Sequence, residues 1–411
     1  MVTKAPEASK NILIYPWFKF FQNLVFWQAV WFLYFQNELS AAEAILLYVV
    51  YDVGTTVLEV PSGYMSDRLG RRFTLIASAF AGLGGAMLLA YGSRFEVFVV
   101  AQVLLGASAA FASGTDSALL YESLTAAGRQ KEIERQELKA WRFSFCALAI
   151  SAVTGGAMAF QSFTLPFLAG ALAFSCVLVI AFLFREPPRT QGVFAEGAEL
   201  VRLKSLKTAL TKPVLIWLFV LSVAMYVFSH IPFVFGQPFI LEALKETGFE
   251  GEAPVVSGFV SALMMILSVV TSLFALRLRH VLGLPAILLL AFSMQIALIG
   301  LLALTNEMIA IAFLFLRMVP DSLSKPFISA RTQPMLNDDS RATYISLQSF
   351  CGRLVFAASL FLASLATSDN GQMIYAEIQK VLGWYIVGGL LCFGTLVFAT
   401  RRVKIEARGM D

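Results

Sequence analysis

Long apolar runs follow one another along the chain, separated by short polar or basic turns. They fall at about 13–37, 41–65, 73–92, 94–123, 138–160 and 163–185, then again at about 213–240, 254–277, 282–304, 307–335, 341–367 and 373–400. Each run is at or above the ~20 apolar residues with which a helix crosses a bilayer. Between the two sets lies a polar stretch with Pro187, Pro188 and several Lys and Arg. The pattern predicts an all-α membrane protein: an N-terminal six-helix bundle over 1–185, a linker over 186–212 and a C-terminal six-helix bundle over 213–411. The polar tail Met1 to Lys10 runs into an apolar stretch too long for a signal-peptide core, so the first span reads as uncleaved.

Composition sharpens this picture. Of 411 residues, 58% are hydrophobic and 14% charged, and the mean hydropathy is +0.75. A soluble domain carries about a quarter charged residues, so lipid has to be the solvent for most of this surface. The four cysteines all sit inside apolar runs with no CxxC pair, as membrane-embedded free thiols do.

A net charge of +4 would suit nucleic acid, but its distribution points elsewhere. Basic residues collect at 67–72, 129–139, the central linker, 277–279 and 401–404, while the opposite loops carry only Arg94, Lys245 and Lys380. The positive-inside rule then puts both termini in the cytoplasm, in keeping with an even number of spans. A faint repeat relates the halves: Phe98 to Gln102 in the fourth span aligns with Phe313 to Arg317 in the tenth.

The turn between the second and third spans reads GYMSDRLGRR over 63–72. Gly63, Asp67, Arg68, Gly70, Arg71 and Arg72 resemble motif A of the major facilitator superfamily, G-x-x-x-D-R/K-x-G-R/K-R/K, at every defined position. The resemblance covers the whole chain in topology and this turn in sharp sequence. It implies a major-facilitator fold with a mid-membrane cavity lined mainly by spans one, four, seven and ten. It also implies that motif A latches one state of an alternating-access cycle. Physically, Gly63 would permit close helix approach and Gly70 a tight turn. Asp67 could face a helix N-terminus of the other half, and the arginines could pair with carboxylates at span ends.

Two patterns of the family's drug–proton antiporters are altered. Where R-x-x-Q-G is common in span four, the chain has Gln102 to Gly106, with glutamine at the arginine position. In span five the small residues Ala147, Ser151, Ala152, Gly155 and Gly156 persist, but the proline of that pattern is lost.

Charges inside a membrane are costly and usually face a partner, the bundle interior or a water-filled cavity. Ten stand out: Asp52, Glu59, Asp116, Glu122 and Asp321, and Arg142, Arg317, Lys325, Arg331 and Arg353. Four of the five acids lie in the first half and four of the five bases in the second. Asp52 is a candidate proton carrier, because burial raises a carboxylate's pKa toward neutrality; the alternative is an ion pair with a base such as Arg353. Glu59 reads as a gate or latch contact, and Asp116 and Glu122 as partners of the motif A arginines or of Arg142, with substrate contact as the alternative. Arg317, Asp321 and Lys325 share one helical stripe at i, i+4 and i+8. With Arg353 they leave surplus positive charge, which suits an anionic or zwitterionic solute; pairing with the acids of the first half is the alternative.

In the first span Trp27, Gln28, Trp31 and Tyr34 could line a cavity for an aromatic or amphipathic solute, or simply pack. His230 in span seven could titrate near neutrality, or sit packed beside Pro232. Met225, Met264 and Met265 have no ligand spacing, so no metal is expected.

The sequence has no GxGxxG, GxxxxGK[ST], HExxH or GxSxG, so neither an enzyme nor an ATP-driven pump is expected within the chain, and no cofactor. The reading is a monomeric inner-membrane secondary transporter for a small organic, anionic or amphipathic solute, coupled to protons, with export favoured. Alternatives are an uptake symporter or passive facilitator for an organic anion. A receptor or lipid-handling protein on the same fold is more distant, lacking the soluble appendage or membrane-facing nucleophile it would need.

Overall fold

The computed structural model describes residues 5–187, 211–336, 338–367, 371–403 and 405. Among them there are helices and turns but no strands. Ten helical stretches are long and apolar enough to cross a membrane. The other two crossings of the twelve-helix fold are the first and tenth spans, each divided by a break. Most of the linker expected over 186–212 lies outside the described residues.

The chain divides into two compact units. One takes in 1–192 with 254–262 and 369–372, and the other takes in the remainder.

In the first unit, α1 (Ala5–Gln22) ends at Asn23 and is followed by a 3-10 turn (Phe26–Ala29) and α2 (Trp31–Glu38). The span predicted over 13–37 is therefore not one helix. The break has a visible cause. The Asn23 amide donates to Lys19 O at 2.8 Å and to Ser144 Oγ at 3.2 Å, and Gln28 Nε2 donates to Leu148 O at 2.9 Å. Polar side chains here exchange helical hydrogen bonds for bonds to α7 (Ile133–Gln161). Gly155 of α7 lies against the backbone of Phe26, where any side chain would collide. Trp27 is buried and stacks on Phe167, ring centroids 5.6 Å apart.

Helix α3 (Ala41–Leu69) starts at a capping box in which Glu43 N donates to Ser40 Oγ and Ser40 N donates to Glu43 Oε2. It ends at Gly70, whose φ of +110° favours glycine, and α4 (Arg71–Tyr91) follows at once. The fourth span is again composite: α5 (Phe95–Ala112), a break at Ser113 and Gly114 with φ +73°, then α6 (Thr115–Ala126). On α5, a Cβ at Gly106 would stand 3.0 Å from Tyr51 O and Thr55 N, so this glycine lets α5 and α3 touch backbone to backbone. Helix α8 (Thr164–Leu183) completes the unit. Its core joins Ile12, Tyr15 and Phe18 of α1 to Leu75, Leu119, Leu124, Val177 and Phe184.

The two ends of this unit are fastened together. Asn11 Oδ1 accepts from Arg185 N at 2.9 Å, while Asn11 Nδ2 donates to Arg185 O at 2.8 Å and to Ser123 Oγ at 2.9 Å. All three bonds are made by one side chain that is 1% exposed.

The second unit contains α9 (Pro213–Lys245), most of α10 (Ala253–Leu282), α11 (Leu284–Leu304), a 3-10 stretch (Met308–Leu316), α12 (Val319–Thr332), α13 (Asp338–Ser364) and α14 (Tyr375–Thr400). The tenth span breaks at Arg317 and Met318, ahead of Pro320, which lacks an N–H and suits a first helical turn. Near its end, Tyr344 Oη donates to Leu215 O at 2.7 Å within a small apolar cluster.

Both fourth spans are thus interrupted, one in each unit. The breaks alter the phase of the repeat suggested by sequence: Gln102 lies three turns before its break, whereas Arg317 lies on its own.

Candidate functional site

Irregular backbone at membrane depth is tolerated where it is buried in protein or lines a cavity, and each unit has a cavity beside its broken spans. In the first, about 370 Å³ is bounded by Lys19, Asn23, Trp27, Trp31, Ser113 and Asp116, among others. The Lys19 ammonium meets Asp116 Oδ2 at 2.7 Å and donates to Gln22 Oε1 at 2.9 Å. Asp116 stands in the first turn of α6, where Oδ1 also accepts from Ser117 N at 2.7 Å.

Lys19 is absent from the sequence reading, although it lies inside the first predicted span and the rule that flags the other charges covers it. Of the partners the sequence suggested for Asp116, neither the motif A arginines nor Arg142 is the one found. Arg142 is exposed and makes no ion pair among the described residues, and the same holds for half-buried Glu59. Asp52 is buried on α3. Gln28 is committed to α7, while Trp27 and Trp31 line the cavity.

In the second unit about 280 Å³ is bounded by Ser222, Tyr226, Lys325, Thr332, Gln348 and Ser349, among others. The hydroxyls of Ser222 and Thr332 have no hydrogen-bond partner among the described residues, so the cavity offers unspent polar capacity. Lys325 is paired to Asp321 at 2.7 Å along α12, yet its side chain is 63% exposed. Asp321 also accepts a long bond from Gln295 at 3.4 Å. Arg317 donates to Met264 Sδ at 3.0 Å and lies 5.2 Å from the centre of the Phe233 ring. His230 is stacked on Tyr226 and shares a 2.7 Å hydrogen bond with the Tyr226 carbonyl. Arg353 is half-buried on α13. Arg331 donates to Ile405 O at 2.7 Å. Ser222, Gln348 and Ser349 carry no charge and stand in apolar runs, so nothing in the sequence marks them.

The motif A turn is held within the first unit. Arg71 Nη1 meets Asp67 Oδ1 at 2.6 Å and Ser66 Oγ at 2.8 Å, while Nη2 meets Glu122 Oε1 at 3.1 Å. The carboxylate of Glu186, at the close of the sixth span, accepts from Arg71 N at 2.7 Å and Arg72 N at 2.8 Å. It caps α4 at its positive end. Arg72 donates to Phe182 O at 2.9 Å, and Arg68 lies 5.1 Å from the centre of the Tyr64 ring. Gly70 is favoured by its φ, and a Cβ there would stand 2.6 Å from Glu186 Oε1, so the carboxylate would have to swing away from its bonds to α4. Gly63 differs from expectation: it is exposed, and a Cβ on it would meet nothing within 4 Å among the described residues.

The family profile of the Major Facilitator Superfamily matches residues 14–360. The chain belongs to this superfamily. No curated protein sequence matches it. Among solved structures the chain resembles the nucleoside transporter NupG, with a TM-score of 0.76 at 12% identity over 95% of this chain and 99% of that one. A D-xylose-proton symporter gives 0.69 at 13% identity over 98% and 100%. The peptide transporter POT in complex with sulfate gives 0.70 at 13% identity over 98% and 100%. These likenesses establish the fold that the chain shares with them.

Proposed function

We propose that the protein is a secondary active transporter that carries a small organic solute by alternating access, with the membrane proton gradient as its driving force. The observation that carries this reading is the pair of cavities, largely apolar but each bearing charged and hydrogen-bonding side chains, one beside each interrupted fourth span, in a chain of this superfamily. Interrupted helices expose backbone and charge to a solute while the rest of the bundle stays closed to lipid. The solute is anionic or amphipathic: Lys325 supplies an accessible positive charge, and Trp27 and Trp31 supply aromatic wall. Asp52, buried in α3, is the coupling acid. We assign export as the direction, from the aromatic lining of the first cavity and the intact motif A turn. Membership in a plasma (inner) membrane, both termini cytoplasmic and a monomeric working unit complete the proposal.

Thermal-shift screening of the purified protein, followed by flux of the stabilising solutes in proteoliposomes at imposed pH gradients, tests it. Transport driven uphill by the proton gradient in the wild type and lost in Asp52→Asn is the expected result. Uphill transport retained by Asp52→Asn removes that residue from coupling. A second reading, uptake of an organic anion, is favoured by Lys325 and the hydroxyl-rich second cavity. It predicts that Lys325→Gln raises the KM for anions and that flux runs inward with protons.

A further inference from the structure

We propose that the cavity of the first unit is a subsite for a small zwitterion with an apolar or aromatic body, a molecule of the amino-acid class. Its carboxylate takes Lys19 and its ammonium takes Asp116. The inference rests on the transport reading and narrows its solute to the amphipathic case, a zwitterion rather than a bare anion.

The argument begins with the ion pair. Lys19 and Asp116 are 23% and 8% exposed at the side chain and meet at 2.7 Å on the wall of the cavity. A ligand that carries one charge can bind only by separating them, and it leaves the other member uncompensated in a poorly solvated place. A zwitterion exchanges one ion pair for two and leaves neither charge alone. The anchoring bonds support the exchange. Asp116 keeps Oδ1 on Ser117 N while Oδ2 changes partner, and Lys19 keeps Gln22 Oε1.

The charges that face this pair point the same way. Glu137 of α7 and Tyr15 of α1 lie within electrostatic reach of Asp116, and Glu137 feels Lys19 as well. With two carboxylates against one ammonium, a bare organic acid is repelled. A bare amine would displace Lys19 and leave that ammonium without its counter-ion.

The remaining wall suits the body of such a ligand. Trp27, Trp31, Tyr51 and Phe174 present ring surface to the same space, which favours apolar and aromatic groups and tolerates a nearby ammonium. A volume of about 370 Å³ lies at the lower end of small-molecule pockets.

The experiment compares three probes on the purified full-length protein: L-phenylalanine, phenethylamine, which lacks the carboxylate, and 3-phenylpropionate, which lacks the ammonium. Saturable quenching of tryptophan emission is the readout, since two tryptophans line the site. L-Phenylalanine is expected to bind, and each single-charge analogue to bind at least about tenfold more weakly, the loss of one desolvated charge contact. The charge-balanced double variant Lys19→Gln with Asp116→Asn leaves no orphan charge, keeps the elution profile of the wild type and loses the response. Phenethylamine or 3-phenylpropionate binding as tightly as L-phenylalanine overturns the proposal, as does quenching that the double variant retains. A wild type that moves another solute in proteoliposomes yet ignores all three probes overturns the zwitterion site alone. A wild type inert to the probes and to every solute screened overturns the transport reading as well.

Discussion

Arg71 and Glu122 lie 51 residues apart in sequence and meet through two nitrogens on one carboxylate oxygen, Nε at 3.2 Å and Nη2 at 3.1 Å. The same guanidinium reaches Asp67, so a single side chain ties the turn after the second span to the inner stretch of the fourth.

Arg71→Lys is expected to behave nearly as badly as Arg71→Ala. A lysine ammonium is a point donor and cannot hold Ser66, Asp67 and Glu122 from one position. Double-mutant cycles with Glu122→Gln on thermal unfolding should give a coupling of about 1 kcal/mol or more, in the range for residues in contact. A coupling indistinguishable from zero would remove this contact from the stability of the turn.

Glu186→Gln should lower stability by about 1 kcal/mol, the usual worth of a helix cap together with its favourable charge. Gly70→Ala should be worse, because it adds backbone strain to a clash with Glu186 Oε1. Combining Gly70→Ala with Glu186→Ala relieves the clash and leaves the strain, so the double variant should be less destabilised than the sum of the singles. Strict additivity in detergent melting curves would show that the two residues do not meet.

Gly114→Ala should cost about 1–2 kcal/mol, the penalty for an ordinary residue in left-handed backbone. The space beside it is open, since a Cβ there meets nothing within 4 Å among the described residues. Gly114→Asn should therefore recover part of that loss, because asparagine tolerates this backbone. A larger loss for Asn than for Ala would point to a steric cause instead.

Asp116→Asn alone strands the Lys19 ammonium and should destabilise by on the order of 3 kcal/mol, toward the low end for broken buried pairs because Lys19 is partly exposed. Replacing both members, as Lys19→Met with Asp116→Leu, should restore most of the melting temperature. A double variant as unstable as the single would mean that the pair contributes more than its own neutralisation.

The spans were legible because twenty-odd apolar residues between short polar turns, basic on alternate sides, admit one reading in a membrane. Motif A was legible because Gly70 and the arginines stand at fixed spacing. The break in the first span was not, because hydropathy is blind to a side chain that bonds a distant backbone; the tenth carried a sign in Pro320, which stands just after its break. Gln28 reaches a carbonyl 120 residues away, and the first span reads through it as continuous apolar chain. The fourth span did carry a sign, since Ser113 and Gly114 are poor helix formers side by side. Lys19 was discoverable by the rule applied to the other intramembrane charges. Glu186 was hidden by its place at the start of a polar stretch, where an acid looks like ordinary solvated sequence.

The clasp of Asn11 on the peptide of Arg185 gives the first bundle the topology of a closed hoop. The polypeptide leaves that bundle beside the point where it entered. A fragment ending after Pro187 would carry both halves of that buckle, so its two ends would stay fastened to each other.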